Sequence, residues 1–301
     1  MGISLGANQY GKAENRVVRI YRDTARHEIV DLNVSTSLRG DFTLAHTDGD
    51  QADVLPTDTQ KNTAFAYAKQ HGVTSPEDYA IALGRHFLDA TPKADSAQIR
   101  VEQYAWDRIP TGPHGHDHAF VRRGGATRST VVTVRGRGAD QHIWVVSGVQ
   151  DLVILKSTGS EFKGFLKDEY TTLQEADDRI LATSLVARWR YESTTVDWNK
   201  THDAIQATLL ETFATTYSRA LQETLYLMGK RVLETIEDVA ELRFSAPNKH
   251  HFLVDLAPFG LENDGEVFIA ADRPYGLIEA TVARDDASDA GDAWLAVPSF
   301  V

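Results

Sequence analysis

The chain has 301 residues, 42% of them apolar and 25% charged, a composition typical of globular proteins and long enough for one large or two medium domains. Its 43 acidic and 31 basic residues give a net charge of −12, which argues against non-specific nucleic-acid binding. With no cysteine, disulfides, thiolate catalysis and cysteine-ligated zinc or iron–sulfur sites are excluded.

Residues 15–23 (NRVVRIYRD) and 27–38 (HEIVDLNVSTSL) are rich in β-branched side chains and predict two strands. A polar loop with Asp41, Asp48, Gly49, Asp50 and Asp53 follows. Residues 59–71 predict a helix capped by Asp58 or Thr59 and stopped by Gly72. Residues 76–89 predict a second helix, with Ser75 as N-cap and Pro76 in its first turn. Strands are expected at 98–108, 119–123 and 127–135. A turn-rich joint, Gly136-Arg137-Gly138, then divides the chain into 1–138 and 139–301.

The second half repeats the order. Strands are predicted at 141–147, 152–156 and 183–192, helices at 200–216 and 219–235, and strands at 239–245 and 251–256. Ser218 is the expected N-cap of the last helix. Each half reads as two strands, two helices and two strands. The fold class is therefore α+β, with two domains that each carry helices on one face of an antiparallel sheet. Such sheets leave open edges, and closing them into an oligomeric barrel is one solution. No apolar run reaches membrane-spanning length, and the N-terminus lacks a signal-peptide core. The ending Pro298-Ser299-Phe300-Val301 is not a Ser-Lys-Leu tail, so a cytoplasmic protein is expected.

Residues 155–179, LKSTGSEFKGFLKDEYTTLQEADDR, are not patterned like a core element. Phe162, Phe165 and Tyr170 alternate with Lys156, Lys163 and Lys167, and an acidic run ends on Arg179. Aromatic faces and fixed cations together suit a flat, electron-rich anion. The ordinary alternatives are a core Phe162 and a surface ion pair between Arg179 and Asp177 or Glu175.

This string resembles the signature of the urate oxidase (uricase) family. Five further segments extend the resemblance: Tyr10-Gly11-Lys12, VLPTDTQKNT at 54–63, SRALQETLYLM at 218–228, PNKHHF at 247–252 and Gly276-Leu277-Ile278. The resemblance implies two tandem tunnelling-fold domains, a homotetramer forming a β-barrel tunnel, and oxidation of urate by O₂ to 5-hydroxyisourate and hydrogen peroxide. No metal or organic cofactor is implied.

Carried over by resemblance, Phe162 stacks on the purine and Arg179 forks onto one side of it. The Leu221 N–H and the Gln222 amide read the opposite edge, and Leu221 stands where the family often has Val. The Thr57 hydroxyl faces the reacting ring, and the Asp58 N–H meets a purine nitrogen. Asn248 helps hold O₂ or water above the ring. Lys12, Thr57 and His250 move protons. The resemblance also implies that Lys12, Thr57 and Asp58 come from one subunit and the other residues from its neighbour.

The residues themselves support parts of this. First-turn N–H groups have no intrahelical partner and favour anions. A histidine suits proton transfer near neutral pH. His251 should point away from His250 on a strand and has no assigned role. His114, His116 and His118 would share one face of a strand and could bind a metal, but Pro113 and Gly115 fit a loop equally. The Asp48–Asp53 cluster lacks the pattern of an EF-hand. Two other functions remain compatible: a metal-dependent tunnelling-fold pterin or purine enzyme, and a non-catalytic purine-binding protein.

Overall fold

The computed structural model describes residues 2–298. The Ser299-Phe300-Val301 ending used in the targeting expectation lies outside the described residues. The ten strands are β1 (Asn15–Tyr21), β2 (Glu28–Gly40), β3 (Ala94–Gln103), β4 (Trp106–Arg108), β5 (Phe120–Arg122), β6 (Thr127–Arg135), β7 (His142–Lys156), β8 (Leu181–Tyr191), β9 (Val239–Leu253) and β10 (Phe268–Ala283). The helices are a short α1 (Thr43–Thr47), α2 (Thr57–Gln70), α3 (Pro76–Ala90), α4 (Trp198–Thr215) and α5 (Leu221–Thr235).

Eight strands form one antiparallel sheet, ordered β1-β2-β3-β6-β7-β8-β9-β10; β4 and β5 pair separately. The two expected sheets are thus fused, because β6 and β7 pair directly from Thr127↔Gln150 to Arg135↔His142. One apolar cluster runs through both halves between sheet and helices. On β8, Leu181, Leu185, Ala187 and Trp189 are fully buried at alternate positions, the period-2 pattern of a sheet with one face covered.

The halves share details that their sequences conceal. Helices α3 and α5 each place a glycine against the sheet: a Cβ on Gly84 would lie 2.7 Å from Val134, and one on Gly229 2.7 Å from Val282. Arg137 donates to the carbonyls of Leu88, Thr91 and Ala94 at the end of α3. Arg284 donates to Leu233, Ile236 and Val239 at the end of α5. These partners share one offset (233 − 88, 236 − 91 and 239 − 94 all equal 145), which also relates Gly84 to Gly229 (229 − 84).

Some predicted elements differ. The segments at 141–147 and 152–156 are one strand with a bulge between Val149 and Leu152, where Asp151 has φ 58°. The segments at 239–245 and 251–256 are also one strand, β9. Strand β10 was not expected, apart from its Gly276-Leu277-Ile278 motif. Neither Asp58 nor Thr59 caps α2: its N-cap is Pro56, and the Asp58 carboxylate binds Lys61 and Asn62. Ser218 does not cap α5. It is fully buried and accepts a hydrogen bond from Thr224 Oγ1 at 2.7 Å, while Ala220 takes the cap position. Ser75 does cap α3, accepting from the Asp78 N–H at 3.0 Å.

The halves meet through a polar joint. The Glu77 carboxylate is fully buried, accepting from Arg128 Nη2 at 2.7 Å and Ser147 Oγ at 2.5 Å. Trp198 Nε1 reaches Asp78 at 2.8 Å, and Arg128 Nη1 reaches Asn199 at 2.8 Å, so the starts of α3 and α4 are tied together. No helix among the described residues is long and apolar enough to cross a membrane.

Candidate active site

The alternation that buries Leu242, Phe244 and Ala246 on β9 continues outward to Asn248 and His250. Helix α5 begins at Leu221, so these later residues of β9 are not covered and instead face a cavity. The cavity holds about 370 Å³ and is lined by Phe162, Arg179, Leu221, Gln222, Asn248 and His250, among others. Six of the nine predicted site residues therefore meet in one place. Its size and apolar walls suit a small planar ligand.

The 155–179 segment folds back on itself to build one wall. Phe162 and Ala176 exchange backbone hydrogen bonds at 2.8 and 3.0 Å. Lys163 pairs with Asp177 at 2.8 Å, and Lys167 with Glu175 at 3.2 Å. The acids expected to compete for Arg179 are thereby occupied. Asp178 binds Thr158 and the Ser160 N–H. The Arg179 N–H donates to the Ser160 carbonyl at 2.7 Å, and the Glu161 N–H to the Ser218 carbonyl at 2.9 Å, which joins this wall to the start of α5.

Arg179 is the electrostatic centre of the cavity. Its Cζ lies 5.0 Å from the Phe162 ring centroid, and its Nε is buried with no hydrogen-bond partner. Burial pulls its pKa below the usual arginine value. A buried N–H lacking an acceptor is costly, and an anion in the cavity would supply one. Phe162 is half-buried and stacks on Phe165 at 5.1 Å and 14°.

The opposite side is a helix start with free donors. Ala220 offers no side-chain cap, so the Leu221 and Gln222 N–H groups have no intrahelical partner. Of the four long helices, α3 and α4 are capped by Ser75 and Asp197, whereas α2 and α5 have no side-chain cap. The two uncapped starts carry the candidate residues Thr57, Asp58, Leu221 and Gln222.

Asn248 pairs in register with Thr183 and Gly276. Burial first, then the charges of Arg179 and His251, lowers the His250 pKa and keeps its imidazole neutral at neutral pH. A neutral imidazole beside a fixed guanidinium can accept a proton from a bound acid. His251 also borders the cavity, although it was expected to point away, and its Nδ1 lies 3.0 Å from the Lys249 carbonyl. Leu173, Gln174, Ile180 and Ile278 were missed as lining residues. Leu173 and Gln174 lie in the 155–179 string and Ile278 in the 276–278 motif, but none of these was assigned a contact; Ile180 lies outside every motif.

Lys12, Thr57 and Asp58 do not line this cavity. Lys12 precedes β1, and Thr57 and Asp58 open α2, which packs on β1. The cavity lies beside β9 and β10, at the other edge of the sheet. Seven strand intervals separate the edges, roughly 34 Å along the sheet at about 4.8 Å each. Within the second cluster, Asp58 is exposed and held below the usual carboxylate range, first by Lys61 and lastly by the charge of Lys12.

The His114–His118 segment is a loop rather than a strand. His116 and His118 meet edge-to-face at 4.4 Å, and no group able to hold a metal is found among the described residues.

Two tandem α+β repeats on one antiparallel sheet, with a pocket lined by Phe162 and Arg179, define a protein of the tunnelling-fold class. The uricase family model matches residues 8–133 and 145–279, and the chain belongs to the uricase family. A uricase from Arthrobacter globiformis is 50% identical over 298 residues, covering 99% of this chain and 96% of that protein. One from Dictyostelium discoideum is 37% identical over 281 residues, covering 92% and 96%. The crystal structure of the A. globiformis uricase matches with a TM-score of 0.92 at 49% identity, covering 98% of this chain and 100% of that one.

Proposed function

We propose that this chain oxidises urate with O₂ and water to 5-hydroxyisourate and hydrogen peroxide, at sites built between two copies of itself in a cytoplasmic homotetramer. The observation that carries this reading is the half-buried Arg179 guanidinium over Phe162, whose buried Nε has no hydrogen-bond partner, on a purine-sized cavity also lined by the helix start at Leu221 and Gln222.

Arg179 binds the anionic edge of urate, and Phe162 stacks on its face. The Leu221 N–H and Gln222 amide pair with the far edge, which has both donors and acceptors. Asn248 holds O₂ or water over the ring. His250, neutral in the free protein, passes protons with Lys12 and Thr57, and the Asp58 N–H steadies the ring. Deprotonated urate is the reductant and O₂ the oxidant. Two electrons leave the ring, peroxide forms, and water adds at C5. No cofactor is assigned a step; the protein supplies positioning and fixed donors.

The opposite-edge placement of the two clusters supports a shared site, because no single chain can close it. We place the domain boundary between Gly138 and Ala139.

The test uses two variants. Lys12→Met and Arg179→Ala chains, each impaired alone at low urate, should regain turnover there when co-assembled, since some interfaces then carry one intact copy of each cluster. Absence of recovery in a demonstrated mixed oligomer refutes the shared site. Metal-stripped protein should consume urate in air and release peroxide; a strict need for added metal refutes the cofactor-free chemistry and favours the metal-dependent alternative.

A further inference from the structure

Gln60 is fully buried on α2, on a face otherwise filled by Ala64 and Ala68. A buried amide costs stability unless its groups are bonded, so its partners are informative. Its Oε1 accepts from Thr36 Oγ1 at 2.6 Å, and its Nε2 donates to the Leu55 carbonyl at 3.3 Å. Thr36 Oγ1 in turn accepts the Lys12 N–H at 3.1 Å, and the Thr36 N–H donates to the Lys12 carbonyl at 2.8 Å. The contact is close: a Cβ on Gly11 would lie 1.8 Å from the Thr36 carbonyl oxygen.

A second link runs in parallel. The Leu55 N–H donates to the Tyr10 hydroxyl at 3.0 Å. The Tyr10 backbone exchanges hydrogen bonds with Leu38 at 3.1 and 2.7 Å, and its ring packs edge-on against Phe42 at 4.8 Å. The Leu55 N–H is therefore held by the segment that carries Lys12, and its carbonyl by Gln60, which reaches that segment through Thr36. Only Pro56, whose ring fixes φ, separates Leu55 from Thr57.

We propose that Tyr10 and Gln60, with Thr36 as the link, are positioning residues that set Lys12 against Thr57 by clamping Leu55. This rests on the proton-handling role proposed above for Lys12 and Thr57. None of the three touches the reacting atoms. They fix a distance that no direct Lys12–Thr57 bond fixes.

The test compares Tyr10→Phe, Gln60→Met and Thr36→Val with Thr36→Ser in the assembled oligomer. The first three should lower kcat by about tenfold to a hundredfold, the scale of a 1 Å misplacement. Affinity for a non-oxidisable urate analogue should stay within about twofold, because binding and chemistry are then separated. Thr36→Ser keeps the hydroxyl and should restore most of the turnover. A purely structural role would lower thermal stability yet leave kcat per folded oligomer unchanged, and that result overturns the proposal. If Gln60→Met does not fold, Tyr10→Phe, which deletes one hydroxyl, carries the same test. Lys12→Met separates the two ideas. Loss of turnover in Lys12→Met with normal kcat in the clamp variants refutes the clamp alone. Full activity of Lys12→Met refutes the proton role beneath it.

Discussion

His202 is set to make this protein acid-labile. It sits on α4, buried, with its ring 5.5 Å from Trp189. Burial first, and then the nearby Arg128 guanidinium, pushes its pKa down to about 4 from 6.5. The folded state therefore holds the neutral imidazole, while the unfolded chain takes up a proton near pH 6.5. Its contribution is intact above pH 6.5 and is lost as pH falls through 4. A gap of about 2.5 units, at about 1.4 kcal/mol per unit, is about 3 kcal/mol by pH 4. Arg128 also bonds buried Glu77 in the joint between the halves, so protonating His202 places a second cation beside that pair. The perturbation is His202→Gln, which fills similar space and does not titrate. Thermal melting of wild type and variant would be compared at half-unit steps from pH 7.5 to 4. The wild type should lose several degrees more than the variant across this window. Parallel curves would refute the reasoning, because the shared acid loss would then come from carboxylates such as Asp31.

Arg179→Ala should raise the KM for urate by about tenfold to a hundredfold, the worth of charge-assisted hydrogen bonds, and steady-state kinetics would check it. Gln222→Ala should also weaken binding, by about tenfold on the scale of one lost amide pair, and an unchanged analogue Kd would contradict its place at the purine edge. Because the His250 pKa is lowered, its neutral form persists as pH falls through 6.5, so the acid limb of kcat/KM should have its midpoint below 6.5 and should change in His250→Ala. Gly229→Ala should lower melting temperature despite the better helix propensity of alanine, because the new Cβ would lie 2.7 Å from Val282 and 3.0 Å from Phe244; overpacking of about 1–3 kcal/mol outweighs a gain of about 1.

Where each strand kept to one environment, the sequence read well. Strand β6 runs over Thr127–Arg135 as its β-branched alternation predicts. Strand β9 was read as two because Pro247, Asn248, Lys249 and His250 interrupt its apolar pattern. At that interruption the strand leaves the core, and Asn248 and His250 line the cavity. Strand β10 was obscured similarly by Asp272, Arg273, Pro274 and Tyr275. The cap assignments failed for a related reason. Ser218 has the right chemistry and position, but the fold buries it against Thr224 and leaves the start of α5 open.

By itself the sequence determined the α+β class, the repeated element order and, through its motifs, which nine residues to watch. These are local properties, set by side-chain period, turn chemistry and residue identity. Only the tertiary structure decided that the two sheets are one, that six of the nine residues share a cavity, and that Lys12, Thr57 and Asp58 sit at the far edge. It also decided that the buried Nε of Arg179 has no hydrogen-bond partner, because Lys163 and Lys167 take the neighbouring acids. Pairings between distant segments depend on strand register and burial across the whole sheet, which no local stretch encodes.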